Sequence, residues 1–198
     1  MTAPAKPPAA KAPEPAIALD LPPSALEPAM RAYFAKCVEK LGFVPNVLTA
    51  YAFDPAKLAA FVAMSDNLML AKSGLSKLER EMIAVVVSCA NHCHYCLVAH
   101  GAAVRKLSGD AELGDTIVAN YRAAKLDLRT RAMLDFTWKL TVEPWAIEEA
   151  DRAALRGSGF SDRDIWDIAA VAGFFAMSNR MASATDMKPN AEYYRVGR

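Results

Sequence analysis

Glu81, Cys93, Cys96 and His100 are the residues of this 198-residue chain whose types and spacing could do chemistry together. Cys93 and Cys96 stand three positions apart. At the first turn of a helix this spacing lets two sulfurs meet, so a local disulfide is feasible with little strain. A helix N-terminus leaves backbone N–H groups unpaired and carries about half a positive charge, which stabilises a thiolate. Cysteine pKa values in such settings fall from about 8.5 into a range of about 3.5 to 7.5. His100 follows Cys96 by four positions, so a regular helix puts its imidazole on the same face one turn along. From there it can take the thiol proton directly or through one water. Glu81, on the preceding helix, can orient His100 and raise its basicity, completing a nucleophile, base and orienting acid.

A thiolate beside a base attacks the O–O bond of a hydroperoxide and leaves an alcohol and a sulfenic acid. A second cysteine condenses with the sulfenic acid to a disulfide and water, and an external dithiol must reopen it. Cys96, deeper in the turn and nearer His100, is the better attacking thiol. Cys93, at the edge, is the better resolving thiol and the natural point of entry for a reductant. The cycle needs no haem, flavin or metal. A different reading gathers Cys89, Cys93, Cys96 and His100 around zinc, with His92 or His94 as spare ligands, in a non-enzymatic metal-binding or redox-sensing module. It leaves Glu81 without a role, and Cys89 belongs to the buried end of the preceding helix. Cys37, on an apolar stripe between Phe34 and Val38, reads as a core thiol. Phe61, Trp138, Trp145, Trp166, Phe174 and Phe175 read as core or subunit interface rather than as a substrate pocket.

The elements that must position these residues are helices. The first 23 residues hold seven of the 12 prolines and read as an extended arm, either a loose tail or a strap over a neighbouring subunit. The prolines also interrupt the apolar run that a signal peptide needs. Ser24 with Glu27 forms a capping-box pattern that opens a helix ending at Gly42, with Met30, Tyr33, Phe34, Cys37, Val38 and Leu41 on one face. A short segment follows over Asn46 to Phe53. Asp54-Pro55 starts a helix to about Leu70, and Ser76 with Glu79 opens another through the apolar run Met82 to Val87. The helix that carries the two cysteines starts near Cys93 to Tyr95 and runs to about Leu107. Further helices are expected over Asp110 to Tyr121, Asp127 to Thr141 and Glu148 to Leu155, and a long last one opens at Ser161. No segment reads as a strand, so the fold class is all-α. GLSKLEREMIA from Gly74 can be laid on GFSDRDIWDIA from Gly159, which suggests two related helical halves or merely two similarly capped helices.

Composition narrows the function classes. Lys+Arg is 23 and Asp+Glu is 22, a near-neutral balance that argues against nucleic acid as a partner. The longest apolar stretch, Ile168 to Met177, is too short to span a bilayer. Four cysteines in a chain of this length do not make a disulfide scaffold, and free thiols suit the cytoplasm.

The pattern Glu-x11-Cys-x2-Cys-x3-His, filled by Glu81, Cys93, Cys96 and His100, resembles the AhpD-like alkylhydroperoxidase branch of the carboxymuconolactone decarboxylase superfamily. Val44-Pro45-Asn46-Val47-Leu48, Asn179-Arg180-Met181-Ala182 and Pro189-Asn190 look like its peroxidase-related subgroup. The resemblance implies an all-helical fold over residues 24–198, a homo-oligomer, and hydroperoxide reduction. Carried over by position, it makes Cys96 the peroxidatic cysteine, Cys93 its partner, and Glu81 and His100 the proton relay. The wider superfamily also includes decarboxylase and lactone-processing activities, which have no need of a Cys-x2-Cys pair. One departure stands out: the best-known member has a histidine just before the peroxidatic cysteine, where this chain has Tyr95. A phenol with a pKa near 10 can pass a proton but is a poor base at neutral pH.

Overall fold

A computed structural model describes residues 15–198; the Pro/Ala-rich arm lies outside the described residues up to residue 14. Nine α-helices are present among the described residues: α1 (Pro28–Leu41), α2 (Asn46–Tyr51), α3 (Pro55–Leu70), α4 (Lys77–Ala90), α5 (His94–Ser108), α6 (Ala111–Asn120), α7 (Leu128–Val142), α8 (Glu149–Gly157) and α9 (Asp162–Ala184). No strand occurs among these residues.

Most helix starts follow their capping residues. Asp54 accepts hydrogen bonds from the Ala56 and Lys57 amides at the head of α3. Ser76 and Glu79 close a reciprocal capping box on α4, with bonds of 3.1 and 2.7 Å. Ser161 and Asp164 do the same for α9. The expected start of α1 at Ser24 is overturned. Pro28 occupies the first turn instead, where its missing N–H costs nothing. Its ring disfavours the helical conformation of Glu27. Ser24 is drawn elsewhere, its hydroxyl donating to the Phe53 carbonyl at 2.6 Å.

Helix α4 is the axis of the fold. Every residue from Met82 to Ser88 is buried, and α3, α5, α6, α7 and α9 pack around it. An apolar helix has no solvent face to present, so its sequence requires burial on all sides. At its end the chain reverses through Asn91, His92 and Cys93. The Asn91 amide bonds the Val87 carbonyl at 3.1 Å, the Cys93 amide bonds the Ser88 carbonyl at 3.0 Å, and His92 takes a left-handed φ of 52°. This tight turn lays α5 back along α4 and brings His100 beside Glu81.

The two capped repeats then part company. After α4 the chain breaks and turns, whereas α9 continues unbroken through Ser178 to Ala184. Asn179 therefore points from the middle of a helix toward the turn that carries Cys93.

Both described chain ends are tied against α5. Arg105, only 6% exposed, donates to the Tyr193 and Val196 carbonyls at 2.9 and 3.0 Å. The Asn46 amide donates to the Asn190 side chain at 2.7 Å, and that side chain donates to the Val44 carbonyl at 3.0 Å. The two Pro-Asn segments singled out in the sequence thus clasp each other. At the other end, Ala16 and Ala18 hydrogen-bond Lys188 and Thr185 of their own chain, which buries Ile17 in a cluster with Cys93, Tyr95 and Cys96.

Candidate active site

The sequence expects Cys93 at the opening of a helix, and it is the N-cap of α5, with extended backbone. Cys96 lies in the first turn. Both are 1% exposed, and their side chains share a hydrogen bond as free thiols. Only Cys96 lines the adjacent cavity, a space of about 360 Å³ enclosed by α1, α3, α4, α5, α9 and the C-terminal segment. Glu81 and His100 line the same cavity. His100 Nδ1 and Glu81 Oε2 are 2.6 Å apart, both side chains about one-fifth exposed (21% and 18%). The His100 ring stands edge-on to Phe175 at 4.5 Å, which fixes its plane.

The electrostatics divide the two sulfurs in a way that spacing did not foretell. The Cys96 thiol donates to the Cys93 sulfur, the Cys96 backbone N–H adds a second bond, and together with the nearby His100 these outweigh burial. The Cys93 pKa is lowered to about 7. Cys96 moves the other way, far above the ordinary thiol range, because it is the donor in that bond and is buried beside the Cys93 charge. In the dithiol the first negative charge therefore rests on Cys93, not Cys96. Nor is Cys93 at an exposed edge, as the sequence reading expected: Ile17, Ala182 and Met187 belong to the apolar cluster that encloses it.

Tyr95 stands just before Cys96, where the resemblance leads one to expect a histidine, and its bonds run away from the relay. Its hydroxyl accepts from the Val47 amide at 3.1 Å and pairs with Tyr193. Burial above all holds its pKa well above the ordinary phenol value. Tyr95 thus fastens α5 to α2 and the C-terminal segment and forms part of the cavity wall. His94 bonds the Tyr194 hydroxyl at 3.2 Å at the surface, and His92 serves the turn.

Several of the thiols and aromatics read as core serve the cavity as well. Cys37 packs against the core as expected but is only partly buried, and it also lines the cavity with Tyr33 and Asp66. Phe61, Phe174 and Phe175 are buried in the core, as the sequence reading expects, and each also turns a face to the cavity, whereas Trp145 and Trp166 are 81% and 71% exposed. Cys89 is partly buried, its thiol donating to the Val118 carbonyl at 3.3 Å, and burial raises its pKa to about 11. Because it faces α6, Cys89 does not join Cys93, Cys96 and His100, and the four-ligand zinc set is not assembled. No cluster of three or more candidate metal ligands occurs among the described residues.

Sequence reasoning missed a buried polar chain behind Cys96. Asn179, 1% exposed, donates to the Ser88 hydroxyl at 3.1 Å and accepts from Asn91 at 3.1 Å. Asn179 and Ser88 adjoin the Cys96 sulfur and favour its charged form against the larger opposing effects. An amide and a hydroxyl inside otherwise apolar helical runs were the available signal, since buried polar groups are kept only where they find partners.

Comparisons with known proteins identify the family. The carboxymuconolactone decarboxylase family pattern matches residues 55–118, which include Glu81, Cys93, Cys96 and His100. A search of functionally curated proteins finds no match. Among solved structures, an uncharacterized peroxidase-related protein from Silicibacter sp. TM1040 is 62% identical, with a TM-score of 0.91 over 95% of this chain and 99% of that one. An uncharacterized peroxidase-related protein with an alkylhydroperoxidase AhpD core, from Ralstonia eutropha JMP134, is 44% identical, with a TM-score of 0.90 over 94% and 98%. A debrominase in complex with 2,3,4-tribromopyrrole shares the fold at 19% identity, with a TM-score of 0.73 over 85% and 89%. With two relatives this alike over nearly their whole length, the chain belongs to the AhpD-like, peroxidase-related group of the carboxymuconolactone decarboxylase family.

Proposed function

We propose that the protein is a thiol peroxidase that reduces organic hydroperoxides or hydrogen peroxide through a Cys93–Cys96 cycle. The observation that carries this reading is that Cys96, Glu81 and His100 line one cavity, with Cys93 hydrogen-bonded to Cys96 from behind. The Cys96 proton passes to the Cys93 thiolate, leaving the negative charge on the sulfur that faces the substrate. Cys96 attacks the distal peroxide oxygen, the O–O bond breaks, and the departing alkoxide takes the proton held by the His100–Glu81 pair. The products are an alcohol, Cys96 sulfenic acid and a protonated Cys93. His100 then removes the Cys93 proton, Cys93 attacks the Cys96 sulfur, and the displaced hydroxide takes that proton from His100 as water. The two thiols have lost two electrons and the peroxide has gained them. An external dithiol, a protein or a small thiol, reopens the disulfide and restores the cycle. No cofactor is required.

A cytoplasmic setting, where dithiol donors are plentiful, suits this cycle; among the described residues no helix is long and apolar enough to cross a membrane. The half-exposed apolar side chains Val38 and Leu41 on α1 and the exposed Trp145 and Trp166 favour a homo-oligomer. The test is steady-state peroxide reduction with a panel of dithiol donors, joined to thiol titration after one equivalent of cumene hydroperoxide. Two thiols should be lost. Cys96→Ser should abolish peroxide consumption, and Cys93→Ser should allow one turnover and leave a trapped sulfenic acid. Full activity in Cys96→Ser would refute the role given to that sulfur.

A further inference from the structure

The cavity that holds Cys96 carries a second polar group besides the His100–Glu81 pair. Asp66 of α3 lines it, and the Tyr33 hydroxyl of α1 donates to Asp66 Oδ1 at 2.8 Å. Most of the remaining wall is apolar, with Leu48, Phe61, Met69 and Phe174 prominent. No lysine or arginine is among the lining residues, so the cavity contains two carboxylates and no fixed cation. Glu81 is engaged by His100, but nothing in the wall neutralises Asp66. Its neighbours register it: after burial, the hydrogen bond to Asp66 and then the Asp66 charge hold the Tyr33 phenol above its ordinary value, and the Asp66 charge is the next cause that raises the Cys37 thiol. In a half-enclosed apolar space a like charge is screened far less than in water.

We propose that this cavity takes uncharged organic hydroperoxides with an apolar, aryl-sized body and rejects carboxylate-bearing ones, Asp66 being the residue that sets the choice. The inference rests on the peroxidase reading for its substrate, though the selection itself is a property of binding. The volume of about 360 Å³ is within the usual range of roughly 300–1,000 Å³ for small-molecule sites. It is far larger than hydrogen peroxide needs, and its aromatic lining suits a ring or branched alkyl body. Tyr33 holds one Asp66 oxygen in place, so the carboxylate is fixed in the wall rather than free to swing into solvent.

The experiment uses a matched pair: cumene hydroperoxide and its para-carboxylate for turnover, and 2-phenylpropan-2-ol and its para-carboxylate for binding by calorimetry. The neutral member should be favoured at least about tenfold in both kcat/KM and Kd, which corresponds to about 1.4 kcal/mol. Asp66→Asn, which keeps an acceptor for Tyr33 but removes the charge, should shrink the preference to within about threefold. Tyr33→Phe, which leaves the charge in place, should keep most of it. Equal binding of the two alcohols by the unmodified protein, binding of neither, or an unchanged preference in Asp66→Asn would overturn the proposal. Selective binding of the neutral alcohol with no turnover of either hydroperoxide would uphold it and sink the peroxidase reading instead.

Discussion

Replacing Cys96 by alanine should remove the main reason for the low pKa of Cys93. The Cys93 thiolate is favoured by bonds from the Cys96 side chain and backbone, by His100 nearby and by a bond from the Ser183 hydroxyl. The Cys96 thiol is the largest single cause, and burial opposes it. The displacement from the ordinary 9.0 to about 7 corresponds to about 3 kcal/mol. A hydrogen bond to a charged group contributes about 1.5–3 kcal/mol, enough to account for most of that displacement. Without the thiol, the residue-96 amide, His100 and Ser183 still favour the thiolate, but burial, the second-largest effect, opposes them, so the Cys93 midpoint should rise toward its ordinary 9.0. Thiolate absorbance at 240 nm, followed from pH 5 to 9.5, reads this directly. Cys89, with its pKa raised to about 11, and Cys37, also raised, stay silent over most of that range. At pH 8 the ionised fraction of Cys93 should fall roughly tenfold in Cys96→Ala, and the low-pH step should vanish in Cys93→Ser. A midpoint that stays near 7 in Cys96→Ala would refute the reasoning and assign the shift to the residue-96 amide, His100 and Ser183.

The same linkage gives a pH-dependent stability. Because the folded Cys93 pKa is lowered to about 7, the reduced protein should gain stability as pH rises from about 7 toward 9, and lose it as pH falls back, by about 2 kcal/mol. Urea titrations of the reduced protein and of Cys93→Ser at matched pH values check this, and parallel pH profiles would contradict it. Asn179→Ala leaves the Ser88 hydroxyl and the Asn91 amide without their buried partner and should cost about 2–3 kcal/mol in urea unfolding, with slower reaction of Cys96. Arg105→Met should free the C-terminal segment, lowering the Tm by several degrees and speeding amide exchange over residues 191–198, because the Tyr193 and Val196 carbonyls lose a buried, charged donor. If exchange there were unchanged, Arg105 would not be what pins the segment.

Much of the local structure is legible in the sequence because it depends on neighbours within one turn. Asp54, Ser76 and Ser161 announce helix starts through their own side-chain bonds to backbone amides a few residues on. The same short range places Cys93 at a helix N-terminus, Cys96 one turn in, and His100 one turn beyond. Ser24 failed for a local reason too: Pro28 supplies a stronger start signal four residues later. Tyr95 was legible as a departure from the family pattern, but its bonds to Val47 and Tyr193 were not, because they join residues about 50 and 100 positions away.

By itself the sequence determined an all-helical chain with two thiols opening one helix, an imidazole above them and an acid on the helix before. Packing alone decided which sulfur faces the cavity and which one holds the first charge, since both depend on what surrounds a buried atom. Packing also left a space beside the core residues Phe61 and Phe175 and the half-buried Cys37, and brought Tyr33, Asp66 and Asn179 to the site. These residues come from α1, α3 and α9, and apolar periodicity reports only that a face is covered. Whether the cover is tight or leaves a space of about 360 Å³ depends on how distant helices meet, and that becomes fixed only when the chain is folded.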